Sequence, residues 1–382
     1  MKKIFFLLLI SQLFWNCKTE SPKKEAIKKT IPYAIVIHGG AGNITPENFS
    51  IERQKEYKIV LEKALNKGYT ILEKGGTSLE AVQQTITILE NSPLFNAGKG
   101  SVFDNEGKNR MDASIMDGKT LNSGAVAGVS NVKNPILLAN AVMDKTKHVL
   151  LSGKGAEIFA EQNNIKFEND AYFYTKRQAD YLKVVQKRER EKSLQSSVSS
   201  NQSSVSSVKN LQQSEKNNKP QRLEFLPFGK VRMGKYGTVG AVALDKNGNI
   251  AAGTSTGGLT NKKYGRIGDS PLIGAGTYAN NKTCGVSCTG VGEYFIRTLA
   301  AHEVSSLIQY KNTSVKEAIK EVIHNQINNL GGQGGIIVLD KDGNIAWDFN
   351  TNGMFRAYKK STGESETAFF EKNIINELVK KK

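Results

Sequence analysis

Apolar and polar positions change period several times along the chain, and each change marks an element. Ile4–Trp15 is an apolar run of twelve residues behind a basic start, too short to span a bilayer. Tyr33–Ile37 is a short apolar strand that enters a Gly-rich turn, His38–Gly42. Positions 52–74 repeat apolar residues at helical spacing and stop at Gly75-Gly76, and Thr77–Glu80 is a capping box opening a second helix through Glu90. Alternation over Met111–Gly118 and Ser123–Val129 predicts a hairpin. Asn134-Pro135 starts a helix through Thr146, and another covers about 152–163. Arg177–Lys192 reads as a charged helix, and Ser193–Asn218 as a disordered, low-complexity linker. Gly237–Asp245 and Ile250–Thr256 then form a hairpin across Asn247-Gly248. A helix at about 293–309, a second opened by the Ser314–Glu317 capping box, and a strand pair, Gly335–Leu339 with Ile345–Phe349, complete the pattern. Strands and helices alternate in blocks, so the fold class is α/β (α+β).

Composition changes this picture at the ends. With 382 residues and 38% apolar composition, the chain can build one large domain. Its net charge of +17 suggests a polyanion partner, but the charge is uneven. Residues 1–30 carry +5 and 176–237 carry +9, whereas 31–175 carry −1 and 238–382 carry +4. Nucleic-acid binding by the folded body is therefore not expected, and attraction of a Lys-rich tether, residues 17–31, to anionic lipid is. Residues 1–16 look like a bacterial lipoprotein signal, with Cys17 as the lipidation site, so the protein is expected to be exported to the periplasm or cell surface and held there by a lipid anchor. Phe14-Trp15-Asn16 are bulkier than the small residues usual before such a cysteine, which keeps simple secretion as an alternative. Cys284 and Cys288, four apart, fit buried free thiols better than a metal site. Four scattered histidines give little support to a Ser-His-Asp triad or a zinc cluster.

The candidate chemistry centres on the Gly237–Thr238 bond. A threonine hydroxyl is a weak nucleophile and needs an adjacent base; a free α-amine, with pKa about 8, is one. Gly237, lacking a Cβ, can expose its carbonyl to the Thr238 hydroxyl, which permits an N-to-O acyl shift and then ester hydrolysis. Thr256 lies at the far end of the same hairpin, where its hydroxyl can reach Thr238. Arg266 and Asp269, in a Gly- and Pro-bounded loop, suit an α-carboxylate and an α-ammonium respectively. Thr289–Gly292 closes a strand and opens a helix, whose N-terminal N–H groups favour developing negative charge. His38–Gly42 lacks the third glycine of a dinucleotide fingerprint and the Lys-Ser/Thr of a P-loop. Asp112 and Asp117 invite a paired-carboxylate reading, though residues beside a tight turn usually serve the turn.

Taken together, Gly237–Asp245, Thr254–Gly258, Gly265–Pro271 and Thr289–Glu293 resemble the plant-type asparaginases and isoaspartyl peptidases, a branch of the N-terminal-nucleophile hydrolases. The resemblance covers about residues 33–382, apart from a gap near 190–225. It implies a four-layer αββα sandwich that cuts itself into an α subunit, 32–237, and a β subunit, 238–382. It also implies that Thr238 attacks the β-amide of asparagine or of a β-aspartyl dipeptide, with Thr256 orienting it and Asn96 nearby. Arg266 and Asp269 would clamp the substrate, Thr289 and Gly290 would stabilise the oxyanion, Gly292 would let the substrate backbone approach, and His38 would be structural. Main-chain carbonyls of Leu89, Glu90, Ser92, Phe95, Ala97 and Lys99 would wrap a structural sodium ion, with no cofactor needed for catalysis. The resemblance further implies a dimer of αβ heterodimers. Two alternatives stand beside it: a glycosylasparaginase on the same fold, and a non-catalytic surface lipoprotein that uses the scaffold only to bind.

Overall fold

A computed structural model describes residues 32–206 and 237–370, the side chains of 196–206 excepted. In chain order the first stretch contains β1 (Ala34–Gly42), α1 (Ile51–Glu73), α2 (Ser78–Glu90), β2 (Met111–Asp117), β3 (Ser123–Val129), α3 (Pro135–Lys145), β4 (Leu150–Ser152), α4 (Gly153–Gln162), α5 (Asp170–Phe173) and α6 (Lys176–Ser206). The second contains β5 (Val239–Leu244), β6 (Ile250–Thr256), β7 (Thr277–Ala279), β8 (Cys284–Gly290), α7 (Gly292–Thr298), α8 (Ala300–Lys311), α9 (Val315–Lys320), β9 (Gly334–Asp340), β10 (Ile345–Phe349), β11 (Gly353–Lys360) and β12 (Ser365–Phe370). An eight-stranded sheet runs β12-β11-β1-β5-β6-β2-β3-β4, and a four-stranded sheet runs β10-β9-β8-β7.

Period-two alternation places the core. On β1, Ile35 and Ile37 enter a cluster with Leu61 and Leu72 of α1 and Ile86 of α2, while Val36 points the other way to Ile337 and Leu339 of β9. On β9 itself, Ile336 and Val338 turn from that inter-sheet cluster toward Val304 of α8 and Ile319 of α9. Each large aliphatic side chain so buried contributes about 1.5–3 kcal/mol. Cys284 and Cys288 lie on the same side as Ile336, fully buried, and burial pushes the Cys284 thiol up to about 12 and the Cys288 thiol well above its ordinary value. Both are free thiols, as their spacing suggests.

Helix ends follow the sequence closely. The Thr77 side chain accepts from Glu80 N at 3.1 Å, and Ser314 and Glu317 form a reciprocal capping box. Four expectations are corrected. His38–Gly42 is part of β1, not a turn, and carries a bulge between His38 and Gly40. Asn134 occupies the N-cap position of α3 but makes no side-chain capping bond; its side chain donates to Glu90 Oε2 at 3.0 Å and to Asn91 Oδ1 at 3.1 Å instead. The helix at 293–309 is two helices, α7 and α8, broken by Leu299 in a left-handed conformation, φ 48°. The charged helix runs on to Ser206, into the expected linker, whose described part contains neither Gly nor Pro. The signal segment, Cys17 and the tether lie outside the described residues, as does 207–236 of the linker region.

Candidate active site

Thr238 immediately precedes β5, at one wall of a cavity of about 830 Å³. The residue is 5% exposed, and its hydroxyl donates to Thr256 Oγ1 at 3.1 Å. Thr256 also accepts from Gly258 N at 3.0 Å, so its oxygen is fixed by the turn that follows β6. The hairpin turn at Asn247-Gly248 sets this meeting: β5 and β6 pair antiparallel, Val239 opposite Ser255, which leaves Thr238 and Thr256 adjacent at the open end. A second hydroxyl, Ser270 Oγ, stands 3.4 Å from Thr238 Oγ1. Sequence reasoning assigned Ser270 no role, because a serine before proline in a loop carries no distinguishing pattern.

The Gly237 side of the Gly237–Thr238 bond is crowded by the bulged strand. A side chain at Gly40, φ +107°, would lie 2.6 Å from Gly237 N and O, and one at Gly237 would lie 2.5 Å from Thr289 Oγ1. Both positions therefore need glycine. Thr289 Oγ1 accepts from Ala41 N at 3.4 Å, so its hydroxyl proton is not used in that bond. Thr289 and Gly290 end β8, and α7 starts at Gly292. His38 pairs with Gly240 across β1 and β5; its Nε2 contacts Ser287 Oγ at 2.9 Å, and burial pulls its pKa down to about 3. It is therefore neutral at ordinary pH and fully buried.

Asp269 is fully buried, and burial pushes its carboxyl up to about 7 against the pull of Arg266. Its Oδ2 has no partner, so a buried acceptor is left for a cation. Gly292 faces this pair: a Cβ there would lie 2.7 Å from Asp269 N and Oδ1 and 3.0 Å from Arg266 Nη2. The Arg266 fork differs from expectation. Its Nε and Nη2 donate to the two carboxylate oxygens of Glu293, at 2.8 and 2.9 Å, so Nη1 is the part of the guanidinium not committed to that pair. Asn96 bridges loops: Nδ2 donates to Gly258 O at 2.8 Å and Oδ1 accepts from Val102 N at 3.0 Å. It thereby holds the turn that fixes Thr256.

Thr238, Thr256, Asn96, Arg266, Asp269, Gly237 and Gly290 all line the one cavity, together with Gln333 of the Gly-rich turn before β9. Asp112 and Asp117 do not form a catalytic pair. Asp117 accepts from Lys119 N and Thr120 Oγ1 within its turn, whereas Asp112 is buried, accepts from Gly128 N at 2.7 Å and faces Lys262 Nζ at 4.0 Å. Also unforeseen is α6, whose Tyr181, Val185, Arg188, Glu189 and Lys192 border the cavity.

A buried threonine hydroxyl, a carboxylate and a guanidinium thus share one cavity of what the comparisons show to be a hydrolase. The chain belongs to the asparaginase family, whose model, described as asparaginase, matches residues 31–369. It is 42% identical over 324 residues to an Escherichia coli protein named isoaspartyl peptidase, covering 85% of this chain and 92% of that one. A Salmonella typhimurium protein of the same name is also 42% identical, with 85% and 94% covered. A Danio rerio protein named isoaspartyl peptidase/L-asparaginase is 38% identical over 320 residues, with 84% and 90% covered.

These comparisons overturn the expected localisation. The relatives carry peptidase names, none as a lipoprotein, and the family match begins at Ile31, beyond Cys17. A twelve-residue apolar run and one cysteine are short patterns, and the bulky Phe14-Trp15-Asn16 is where the pattern fails. The exported, lipid-anchored assignment and its membrane partner are withdrawn. Among the described residues no helix is long and apolar enough to cross a membrane.

Proposed function

We propose that the chain is a self-cleaving threonine hydrolase that converts β-aspartyl dipeptides and L-asparagine to aspartate. The observation that carries this is the Thr238–Thr256 hydrogen bond formed directly after Gly237, whose Cα abuts the Thr289 hydroxyl. In the first step Thr238 Oγ adds to the Gly237 carbonyl and the peptide bond becomes an ester. Water then hydrolyses the ester, leaving a Gly237 carboxylate and a free Thr238 α-amine. In turnover the amine takes the Oγ proton as Oγ adds to the substrate β-carbonyl, and returns it to the leaving ammonia or amino acid. Water releases aspartate from the acyl-enzyme. Asp269 Oδ2 takes the substrate ammonium, Arg266 Nη1 the α-carboxylate, and Thr289 with Gly290 the oxyanion.

Three packed clusters support a four-layer αββα arrangement of the N-terminal-nucleophile type. The loop after α2 also suits the hard cation expected there. Positions where a Cβ would stand at Gly98 and Gly100 lie 2.4 Å from Glu90 O and 2.0 Å from Phe95 O, so the two glycines let these carbonyls fold inward. Sodium bound there would brace the loop that carries Asn96. Pairing of two cleaved molecules is part of the same reading.

Intact mass and N-terminal sequencing, after prolonged incubation and beside a Thr238→Ala control, test the proposal. A 145-residue fragment beginning at Thr238, absent from the control, is expected. A single uncut chain would overturn it.

A further inference from the structure

The cavity has a wall that the chemistry above does not use. Tyr181, Val185, Arg188, Glu189 and Lys192 of α6 face it, with spacings of four, three, one and three that trace one side of a helix. Polar ties seat α6 on the body. Arg177 donates to Tyr57 Oη at 2.8 Å and to Leu94 O at 2.9 Å, Gln178 donates to Gly100 O at 3.1 Å, and Lys263 pairs with Glu189 at 2.7 Å. The last pair neutralises Glu189. Arg188 and Lys192 are exposed at the rim and have no ion-pair partner among the described residues.

Charge counting gives this wall a task. Asparagine presents one α-carboxylate and loses ammonia, whereas a β-aspartyl dipeptide presents a second carboxylate on the amino acid that leaves. Among described residues, three cations line the cavity: Arg266, Arg188 and Lys192. Arg266 already spends two donors on Glu293, and its remaining Nη1 is assigned to the first carboxylate. Of the cations that line the cavity, the α6 pair is left to meet the second carboxylate.

Resting on the functional reading above, we infer that α6 is the leaving-group subsite. Arg188 and Lys192 hold the carboxylate of the departing amino acid, and Tyr181 and Val185 offer apolar surface to its side chain. The preference for dipeptide over asparagine is thus built by a helix of the α half, away from the nucleophile's own strand.

The autoprocessed enzyme and its Arg188→Ala/Lys192→Ala double variant are assayed with β-aspartyl-leucine and with asparagine. The KM for the dipeptide is expected to rise about tenfold, the scale of two exposed charge contacts, and its salt dependence to flatten. Asparagine, which lacks the second carboxylate, should shift less than twofold and so reports that the variant is folded. Arg188→Lys should recover part of the dipeptide KM. Equal change for both substrates, or no change for either, overturns the inference. If the unsubstituted enzyme turns over neither substrate, the failure lies in the proposed function, and the subsite falls with it.

Discussion

Thr238 is one of many buried hydroxyls, and its neighbours are what separate it from the rest. Ser287, Thr254, Thr277 and Ser114 bond to one another between the sheets, at 2.5 to 2.8 Å, and are satisfied there. Thr238 instead follows a glycine and meets Thr256 at a cavity wall. In the proposed mechanism the amine that the cut would free, with pKa about 8, and Asp269, pushed up to about 7, must both be deprotonated for productive binding and attack. Below pH 7, log kcat/KM for asparagine is therefore expected to climb with a slope approaching two; a slope of one would mean that a single group controls it. Burial also pushes Glu90 up to about 7, although Ser255 Oγ, Ile136 N and Asn134 Nδ2 all donate to it. From its ordinary value of 4.5 to about 7, the folded chain keeps a proton that the unfolded chain has lost. Stability should then fall as pH rises through that window. Urea midpoints between pH 4.5 and 7 check the trend, and Glu90→Gln should flatten it. Glu90→Ala leaves three buried donors unpaired and should cost about 3 kcal/mol or more.

At the scale of elements, the Leu299 break allows a direct test. The residue is 54% exposed and holds φ 48°, a conformation that costs a non-glycine residue on the order of 1 kcal/mol. Leu299→Gly removes that strain but adds unfolded-state freedom, so a net gain of about 0.5 kcal/mol is expected in urea denaturation. Elements with local punctuation were legible in the sequence: Asn247-Gly248 fixes β5 and β6, and Thr77 and Ser314 fix the starts of α2 and α9. Elements that depend on distant partners were not. His38–Gly42 reads as a turn because glycines lack side chains, yet Gly39 is there because the Phe95 ring fills the space where its Cβ would stand, 2.4 Å away, and Gly40 because Gly237 does. Strands β11 and β12 carry charged and polar positions such as Arg356, Lys359 and Glu366, which mask their period. The role of α6 was hidden for a similar reason: its cavity-facing positions are mostly polar, so only tertiary placement identifies the face. Of the site, the sequence brought Arg266 and Asp269 to one loop and the structure places both at the cavity, but the Glu293 contact on Arg266 and the Ser270 contact on Thr238 required the loops to be folded.

Across the whole molecule the two halves of the chain are interleaved. In the order β12-β11-β1-β5-β6-β2-β3-β4, strands before and after Thr238 adjoin at β11–β1, β1–β5 and β6–β2. A cut at Gly237–Thr238 therefore leaves three strand junctions intact, so the fragments should co-elute in native gel filtration and separate only in denaturant. Elution of two separate peaks under native conditions would contradict this. The thiols of Cys284 and Cys288 sit deep in the packing between β8 and the helices beyond it, with their thiolates suppressed. Only thiolate reacts with an alkylating reagent, and both side chains are fully buried on a central strand of the second sheet. The pair thus forms a built-in clock: silent in the native protein, it should be labelled only when the second core opens, so that mass added at Cys284 and Cys288, told apart from Cys17 by peptide mapping, counts those openings in a sample that is otherwise at rest.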